Sequence, residues 1–515
     1  MKKNNVTIWS ESPLLGPTRK SVGCDEERFI SPEESRLRAF GRGEASHRFP
    51  ITVLLLCFCM AMVAKAPKYV FYFIGDGMGL NQVVGTQYYL RSCQGELGIT
   101  PLCFAQFPYT GIATSYSASS DVTDSAAGGT ALATGHKTYN GAIGVMADGT
   151  PVTSVAEWAH RAGAKVGVAT SVTINHATPA SFYAHQKSRN DYYEIGTQLA
   201  ASDFEFFAGG DFAEKTNPDN PAAPHLYDLT REAGYAIARG YDEYEALGGE
   251  DKVLLIQKAG AVEDVLPYAI DAREGDLTLT QITTAAIDHL YDKKHKEGFF
   301  LMVEGGKIDY ACHANDAAAA LQEVVDFDHA IRVAYEFYLQ HPKETLIVIT
   351  ADHETGGFTL GNGSYALNFK ALQAQQVSQP GFSRIVNRMR HESKDNVTWE
   401  QMKEALKANF GFWDTITLSE RDEKALRSEY ERSFTGEKNV KMAESLYYRD
   451  EPIAALAVRI LNRIAMVSWP VGSHSAAYVP VFAIGNGAEH FTGQMDNTDI
   501  PKRIAKVAEY IKVRR

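Results

Sequence analysis

Three acidic residues of the chain stand at or directly after the ends of apolar runs that are typical of buried strands. They are Asp76 in Gly-Asp-Gly, Glu304 in Glu-Gly-Gly and Asp352 in Ala-Asp-His. In open α/β sheets, ligands bind beyond the carboxyl ends of the strands, so we expect these carboxylates to meet at one sheet edge. Because carboxylates held together repel one another unless cations neutralise them, the pattern predicts a metal site.

Histidines extend this predicted metal site. Asp309 and His313 are four residues apart, so on a helical turn they share a face and can bind one ion. His353 follows a strand-end aspartate directly, and His474 lies in Gly-Ser-His-Ser before another apolar run. Imidazole with carboxylate suits zinc, whereas sites made of oxygen ligands suit magnesium. Each histidine alone is more readily explained as a surface or core residue, but the set indicates metal binding.

Ser125 is the candidate nucleophile. It lies in Thr-Asp-Ser-Ala-Ala-Gly-Gly, which is typical of the start of a helix. Free backbone N–H groups and the positive end of the helix dipole favour an anion beside a residue in this position. The alternative is a helix-capping serine without chemistry, and this motif alone does not decide between the two.

Taken together, the motifs resemble those of the alkaline phosphatases of the bacterial type. The resemblance covers roughly residues 68–360 and 470–490. The segments that carry it occur in the family's order: GDGMG (75–79), VTDSAAGGTALATG (122–135), HATPASFYAHQKSR (176–189), VEGGKIDYACH (303–313), TADHETGGF (350–358) and GSHSAA (472–477).

The resemblance implies a role for each matched residue. It implies that Ser125 is phosphorylated and that Arg189 binds the phosphate oxygens. It also implies two Zn²⁺ ions and one Mg²⁺ ion as cofactors. Their implied ligands are Asp76, Asp352 and His353 for one zinc, Asp309, His313 and His474 for the other, and Asp76, Thr178 and Glu304 for magnesium.

Two residues depart from the family pattern. His176 stands where many bacterial members carry aspartate, and Tyr310 stands where others carry lysine or histidine. Both departures leave open which metal the third site prefers and how tightly phosphate binds. Cys312, next to His313, is either a further soft zinc ligand or a buried thiol that faces away.

The expected activity is hydrolysis of small-molecule phosphate monoesters through a phosphoserine. Phosphodiesterases, sulfatases and phosphoglycerate mutases use the same metal fold, but Thr178, Glu304 and Arg189 favour a monoesterase. A sulfatase needs a Cys- or Ser-x-Pro-x-Arg motif, which the chain does not have at its nucleophile. A phosphodiesterase, or a phosphate-binding protein without turnover, is the alternative.

A sheet is needed to position these residues. In the sequence, apolar runs that are typical of strands alternate with stretches that are typical of helices. The pattern predicts an α/β fold, a three-layer α/β/α sandwich around a large, mainly parallel sheet. Its catalytic domain would comprise residues 67–360 and 471–515. The charged stretch 361–470 is predicted to be an inserted, crown-like subdomain, a type of insert that in the family lies near a homodimer contact. The predicted strands are 69–74, 164–171, 253–257, 299–304, 345–351 and 478–485, and the predicted helices are 152–162, 277–294, 316–340 and 502–513.

The first 66 residues precede the catalytic domain. Residues 1–50 are predicted to be disordered or a mis-assigned start, and the apolar stretch 51–66 resembles a secretory signal with a cleavage site after Ala66. Export to a periplasmic or extracellular compartment is therefore expected. The length of the preceding segment and the proline at position 67 oppose this, and a buried strand or a membrane anchor is the alternative.

The composition limits the kinds of partner that the chain is expected to bind. The chain has 515 residues, 45% of them hydrophobic, and a net charge of −12. This acidic balance argues against nucleic-acid and anionic-membrane partners, and no stable membrane span is expected. Cleavage would leave Cys93, Cys103 and Cys312, of which the first two either form a disulfide or remain free thiols.

Overall fold

The computed structural model of the chain describes residues 65–511, apart from 262, 364 and 437–440. The predicted extension 1–50 and all but the last two residues of the signal-like segment 51–66 lie outside the described residues. Among the described residues, no helix has the length and apolar character needed to cross a bilayer.

A ten-stranded sheet organises the chain, in the order β16-β2-β15-β8-β1-β7-β3-β4-β6-β5. Its neighbours run parallel except at β15, which is antiparallel to both β8 and β2. Its strands are β1 (Tyr69–Ile74), β2 (Tyr109–Thr114), β3 (Lys165–Thr170), β4 (Phe206–Gly209), β5 (Tyr235–Arg239), β6 (Lys252–Ile256), β7 (Phe299–Glu304), β8 (Thr345–Thr350), β15 (Val479–Gly485) and β16 (Gly493–Asp496).

The other strands of the described residues form three two-stranded pairs. One of these pairs Thr355 with His474, so it joins the segments that contain the candidate ligands His353 and His474. The remaining strands are β9 (Glu354–Thr355), β10 (Thr359–Leu360), β11 (Ala443–Glu444), β12 (Arg449–Asp450), β13 (Val467–Ser468) and β14 (His474–Ser475).

Helices cover both faces of the large sheet. Side chains alternate between the faces of a strand, and all six residues of β1 are buried, so neither face is left to solvent. The predicted α/β/α fold is therefore confirmed. The α-helices are Leu80–Cys93, Ser125–Thr134, Val155–Arg161, Ala177–Ala180, Tyr192–Ala201, Leu226–Glu232, Tyr241–Glu245, Leu279–Leu290, Lys307–His313, Ala317–Gln340, Gln379–Glu392, Trp399–Phe410, Glu420–Glu431, Pro452–Ile464 and Asp499–Val507.

Segment 361–470 contains most of a second, smaller hydrophobic core. Phe382, Phe410 and Leu461, from three of its helices, are completely buried there. The same cluster includes Ala317 and Leu321 from the long helix Ala317–Gln340, so the segment packs directly on the catalytic part. The inserted subdomain stays a prediction, and its separate core is the observation that supports it.

The six predicted strands all lie in the large sheet, but β2, β4, β5 and β16 were not predicted. β2 contains one buried residue among six, so it lacks the continuous apolar run by which a buried strand is recognised. The C-terminal helix begins at Asp499 and ends at Val507, whereas residues 502–513 were predicted. Of the two possibilities for Cys93 and Cys103, the structure has free thiols, one exposed and one buried.

Leu301 provides a test of this core, because it is completely buried on the central strand β7. We expect Leu301→Ala to lower the free energy of unfolding by about 2–5 kcal/mol, since it leaves a cavity in a packed interior. The matched change Leu339→Ala removes the same atoms from a side chain that is 58% exposed, and should cost within about 0.5 kcal/mol. The two variants are compared by thermal and denaturant unfolding, monitored by circular dichroism. Equal losses of stability in the two variants would contradict the placement of Leu301 in the core.

Candidate active site

Three adjacent strands deliver carboxylates to one edge of the sheet, as the sequence predicted. Ile74 at the end of β1 is in register with Glu304 on β7 and with the last residue of β8. Asp76 and Asp352 lie two residues beyond the ends of β1 and β8, and the side chains of Asp76, Glu304 and Asp352 are completely buried. Gly77 adopts a φ of +72°, and a Cβ there would lie 2.8 Å from Asp309 Oδ1, so only glycine lets this fourth carboxylate approach.

The candidate ligands form three overlapping groups, in each of which the ligand atoms lie within 4.8 Å of one another. One group matches a predicted zinc set completely. In the second group, His353 takes the place that was predicted for His313. In the third group, His176 takes the place that was predicted for Thr178. The groups are Asp76, Asp352 and His353; Asp309, His353 and His474; and Asp76, His176 and Glu304.

The two predicted ligands outside these groups lie beside them. His313 Nε2 is 3.1 Å from His474 Nε2 and 3.3 Å from Asp309 Oδ2, so the predicted zinc set is also assembled. The Thr178 hydroxyl lies 3.4 Å from Asp76 Oδ2, near the third group. The structure thus brings all eight predicted metal ligands together at the sheet edge.

Burial and mutual repulsion dominate the electrostatics of the carboxylates. Burial, reinforced by Asp352, Asp309 and Glu304, raises the pKa of Asp76 well above its usual range. Burial, with the charges of Asp309 and Glu304, does the same to the pKa of Asp352, and burial raises the pKa of Glu304 to about 7. Without cations, Asp76, Asp352 and Glu304 therefore favour their protonated forms, and bound cations would reverse that preference.

Hydrogen bonds fix which nitrogen of each imidazole faces the site. His313 Nδ1 lies 2.7 Å from the Gly472 carbonyl and His474 Nδ1 lies 2.8 Å from the Thr123 carbonyl. Since a carbonyl only accepts, Nδ1 is the donor in both rings, and Nε2 is the nitrogen that faces the cluster. The two Nε2 atoms lie 3.1 Å apart, close enough for both to bind one metal ion once they are deprotonated.

The hydroxyl of Thr355 fixes which nitrogen of the His353 ring faces the site. This hydroxyl donates to Asp309 Oδ1 at 2.5 Å and accepts from His353 Nδ1 at 3.1 Å. A hydroxyl has one proton, so His353 Nδ1 must be the donor and its Nε2 faces the carboxylates. One threonine thereby orients a ligand of each predicted zinc ion. Thr355 was not predicted from the sequence, because its role depends on a contact with Asp309 from a distant segment.

Ser125 is the first residue of the helix Ser125–Thr134, and Asp124 is the residue that caps it. The Asp124 carboxylate accepts from the Ala127 N–H at 3.0 Å, which excludes the capping-serine alternative. The completely buried Ser125 places its Oγ 3.1 Å from His353 Nε2. Its hydroxyl therefore lies at a helix N-terminus, beside the candidate metal cluster.

Arg189 is held on two sides. Asp124 Oδ2 accepts from its Nη1 at 3.1 Å, and His176 Nε2 lies 3.1 Å from its Nη2. Because a guanidinium only donates, His176 accepts there and carries its proton on Nδ1, which is buried and has no hydrogen-bond partner. Asp124 is a second residue that the sequence analysis missed, since it was interpreted only as part of the nucleophile motif.

Tyr310 and Cys312, which the sequence also singled out, pack around the candidate site. The ring of Tyr310 stacks on that of Tyr447, with centroids 3.5 Å apart. Cys312 is buried, its Sγ lies 3.8 Å from Gln82 Nε2, and burial raises the pKa of its thiol well above its usual range. Among the described residues, the candidate metal groups do not include Cys312.

The chain resembles known proteins along most of its length. The alkaline phosphatase family model matches residues 67–206 and 260–510. Alkaline phosphatase 3 of Bacillus subtilis (strain 168) is 33% identical over 454 residues, which cover 86% of this chain and 89% of that protein. The crystal structure of the cold-active alkaline phosphatase of a psychrophilic Shewanella species has a TM-score of 0.72 and 30% identity, over 86% of this chain and all of that one.

A second similar structure is a variant of the alkaline phosphatase of the Antarctic bacterium TAB5, with Mg bound in its M3 site. It is 28% identical, has a TM-score of 0.60, and is matched over 87% of this chain and all of that one.

The hydrogen bonds of Thr355 predict an effect on metal binding. Thr355→Val keeps the shape of the side chain but removes the hydroxyl that orients Asp309 and His353. We expect zinc affinity to fall roughly 10–100-fold, as for other residues that orient metal ligands. Thr355→Ser retains the hydroxyl and serves as the matched control. Zinc titrations by calorimetry in which Thr355→Val bound as tightly as the serine variant would contradict this role.

Proposed function

The chain belongs to the alkaline phosphatase family and is a phosphomonoester hydrolase, and we propose that it works through a phosphoserine at Ser125, with two Zn²⁺ ions and one Mg²⁺ ion as cofactors. The observation that carries this proposal is the placement of the Ser125 hydroxyl. It lies at a helix N-terminus, 3.1 Å from His353 Nε2 and next to four buried carboxylates. A nucleophile, an anion-binding helix end and a cation-binding cluster are thus combined.

The residues at the site fit metal ions. Asp76 Oδ1, Glu304 Oε1 and Asp309 Oδ2 are buried without a hydrogen-bond partner, an arrangement that is costly unless a cation binds them. The nitrogen-containing sets suit zinc: Asp76, Asp352 and His353 for one ion, and Asp309, His313 and His474 for the other.

Magnesium is proposed for the third position. Asp76, Thr178 and Glu304 offer oxygen ligands of the kind that magnesium prefers. The Mg-bound TAB5 variant supports a magnesium ion in this family. Bound in these three places, the metal ions would neutralise the carboxylates, lower the pKa of the serine hydroxyl and of a hydrolytic water, and stabilise the leaving alkoxide.

The chain's own residues then bind and orient the substrate. Arg189 is planar and donates two parallel hydrogen bonds to phosphate oxygens, and Asp124 holds it ready at 3.1 Å. Free N–H groups at the start of the helix Ser125–Thr134 face the same anion. Ser125 Oγ forms a bond to phosphorus while the ester bond to the alcohol breaks, and water later cleaves the phosphoserine to release inorganic phosphate.

None of the comparisons described above supports the phosphodiesterase or the phosphate-binding alternative. The arrangement of Ser125 and Arg189 fits the phosphoryl group, which all phosphate monoesters share. Leaving-group selectivity would therefore come from the rim, where segment 361–470 contributes residues.

Replacing the nucleophile tests the proposal. Ser125→Ala should lower kcat for a chromogenic aryl phosphate by at least roughly a thousand-fold, because the covalent route is lost. Ser428→Ala, a change of the same type on the exposed face of the helix Glu420–Glu431, should leave kcat unchanged. Turnover of Ser125→Ala near the wild-type rate would rule out the phosphoserine mechanism.

A further inference from the structure

A short hairpin of the 361–470 segment reaches into the active site. It connects β11 and β12 and is closed by a hydrogen bond of 2.9 Å from the Ser445 N–H to the Tyr448 carbonyl. Tyr447 lies in this turn. Its ring contacts His313, a predicted metal ligand, and His176, which accepts from Arg189.

The ring of Tyr447 lies beside two histidines of the candidate site. Its centroid is 5.4 Å from that of His313, on the proposed zinc side. It is 5.9 Å from that of His176, which accepts the hydrogen bond of Arg189 on the opposite side. Tyr310 stacks under the ring at 3.5 Å and holds it in this position.

The hydroxyl of Tyr447 has no hydrogen-bond partner in the structure, although it is buried. A buried hydroxyl without a partner is costly, and such groups in native proteins usually mark a missing ligand or water. His176, whose ring lies beside that of Tyr447, also accepts a hydrogen bond from Arg189 Nη2 at 3.1 Å. Tyr447 and Arg189 therefore contact the same histidine from different segments of the chain.

We propose that Tyr447 is a phosphate-binding residue, whose hydroxyl donates a hydrogen bond to a phosphoryl oxygen beside Arg189. This inference rests on the proposed function. Arg189 donates through its guanidinium and Tyr447 through its hydroxyl, so an anion placed beside both would accept from both side chains. The family's lysine or histidine at the position of Tyr310 is absent here. Tyr310 instead supports a donor that comes from the inserted segment.

The test compares two hydroxyl deletions in one hairpin, in the full chain loaded with zinc and magnesium. Tyr447→Phe keeps the stacked ring and removes only the proposed donor. Tyr448→Phe is the matched control, because its hydroxyl accepts from Lys307 Nζ at 2.9 Å and donates to Glu263 at 3.1 Å, away from the phosphate site. Binding of inorganic phosphate is measured by calorimetry and as competitive inhibition of aryl phosphate hydrolysis.

We expect Tyr447→Phe to weaken phosphate binding about ten-fold or more, as for the loss of a hydrogen bond to a charged group, while Tyr448→Phe changes it less than about three-fold. Equal effects of the two variants would overturn the inference, since they would indicate a disturbed hairpin. No effect of Tyr447→Phe would also overturn it. If the wild-type protein neither bound phosphate nor hydrolysed the ester, the proposed function itself would fail.

Discussion

Four carboxylates buried against one another at the edge of the large sheet are the constraint on which the rest of the site depends. Asp76, Glu304, Asp309 and Asp352 are each completely buried, and burial is the largest influence that raises the pKa of three of them. For Asp309, burial also acts upward, but the histidines around it outweigh burial and hold its pKa well below the usual range. Charges at this density are stable only with cations, so the fold prepares a metal centre before any ligand is bound.

The residues around this cluster direct it toward one chemistry. Thr355 and two backbone carbonyls hold three imidazoles with Nε2 facing inward. Asp124 caps the helix that begins at Ser125 and also holds Arg189, so one side chain links the proposed nucleophile to the proposed phosphate-binding residue. These contacts bring Ser125, the carboxylates and Arg189 into one site, as the proposed two-metal phosphoryl transfer requires.

Much of this arrangement could be predicted from the sequence. Buried parallel strands are continuous apolar runs, so Asp76, Glu304 and Asp352 were recognisable at strand ends. Residues such as Thr355 and Tyr447 could not be found this way, because their roles depend on side-chain contacts between distant segments. Strand β2 was missed for a related reason, since it is only half-buried and has no distinctive pattern. Export through segment 51–66 and a homodimer stay predictions.

The most direct test of the account is to remove the metal ions and measure both their rebinding and the activity. We predict that chelation abolishes hydrolysis of an aryl phosphate and that zinc and magnesium together restore it best. Metal affinity should fall as the pH is lowered through about 7, because burial raises the pKa of Glu304 to about 7 and its carboxyl must lose a proton to bind a cation. Full activity in a protein shown to contain no metal would contradict the account.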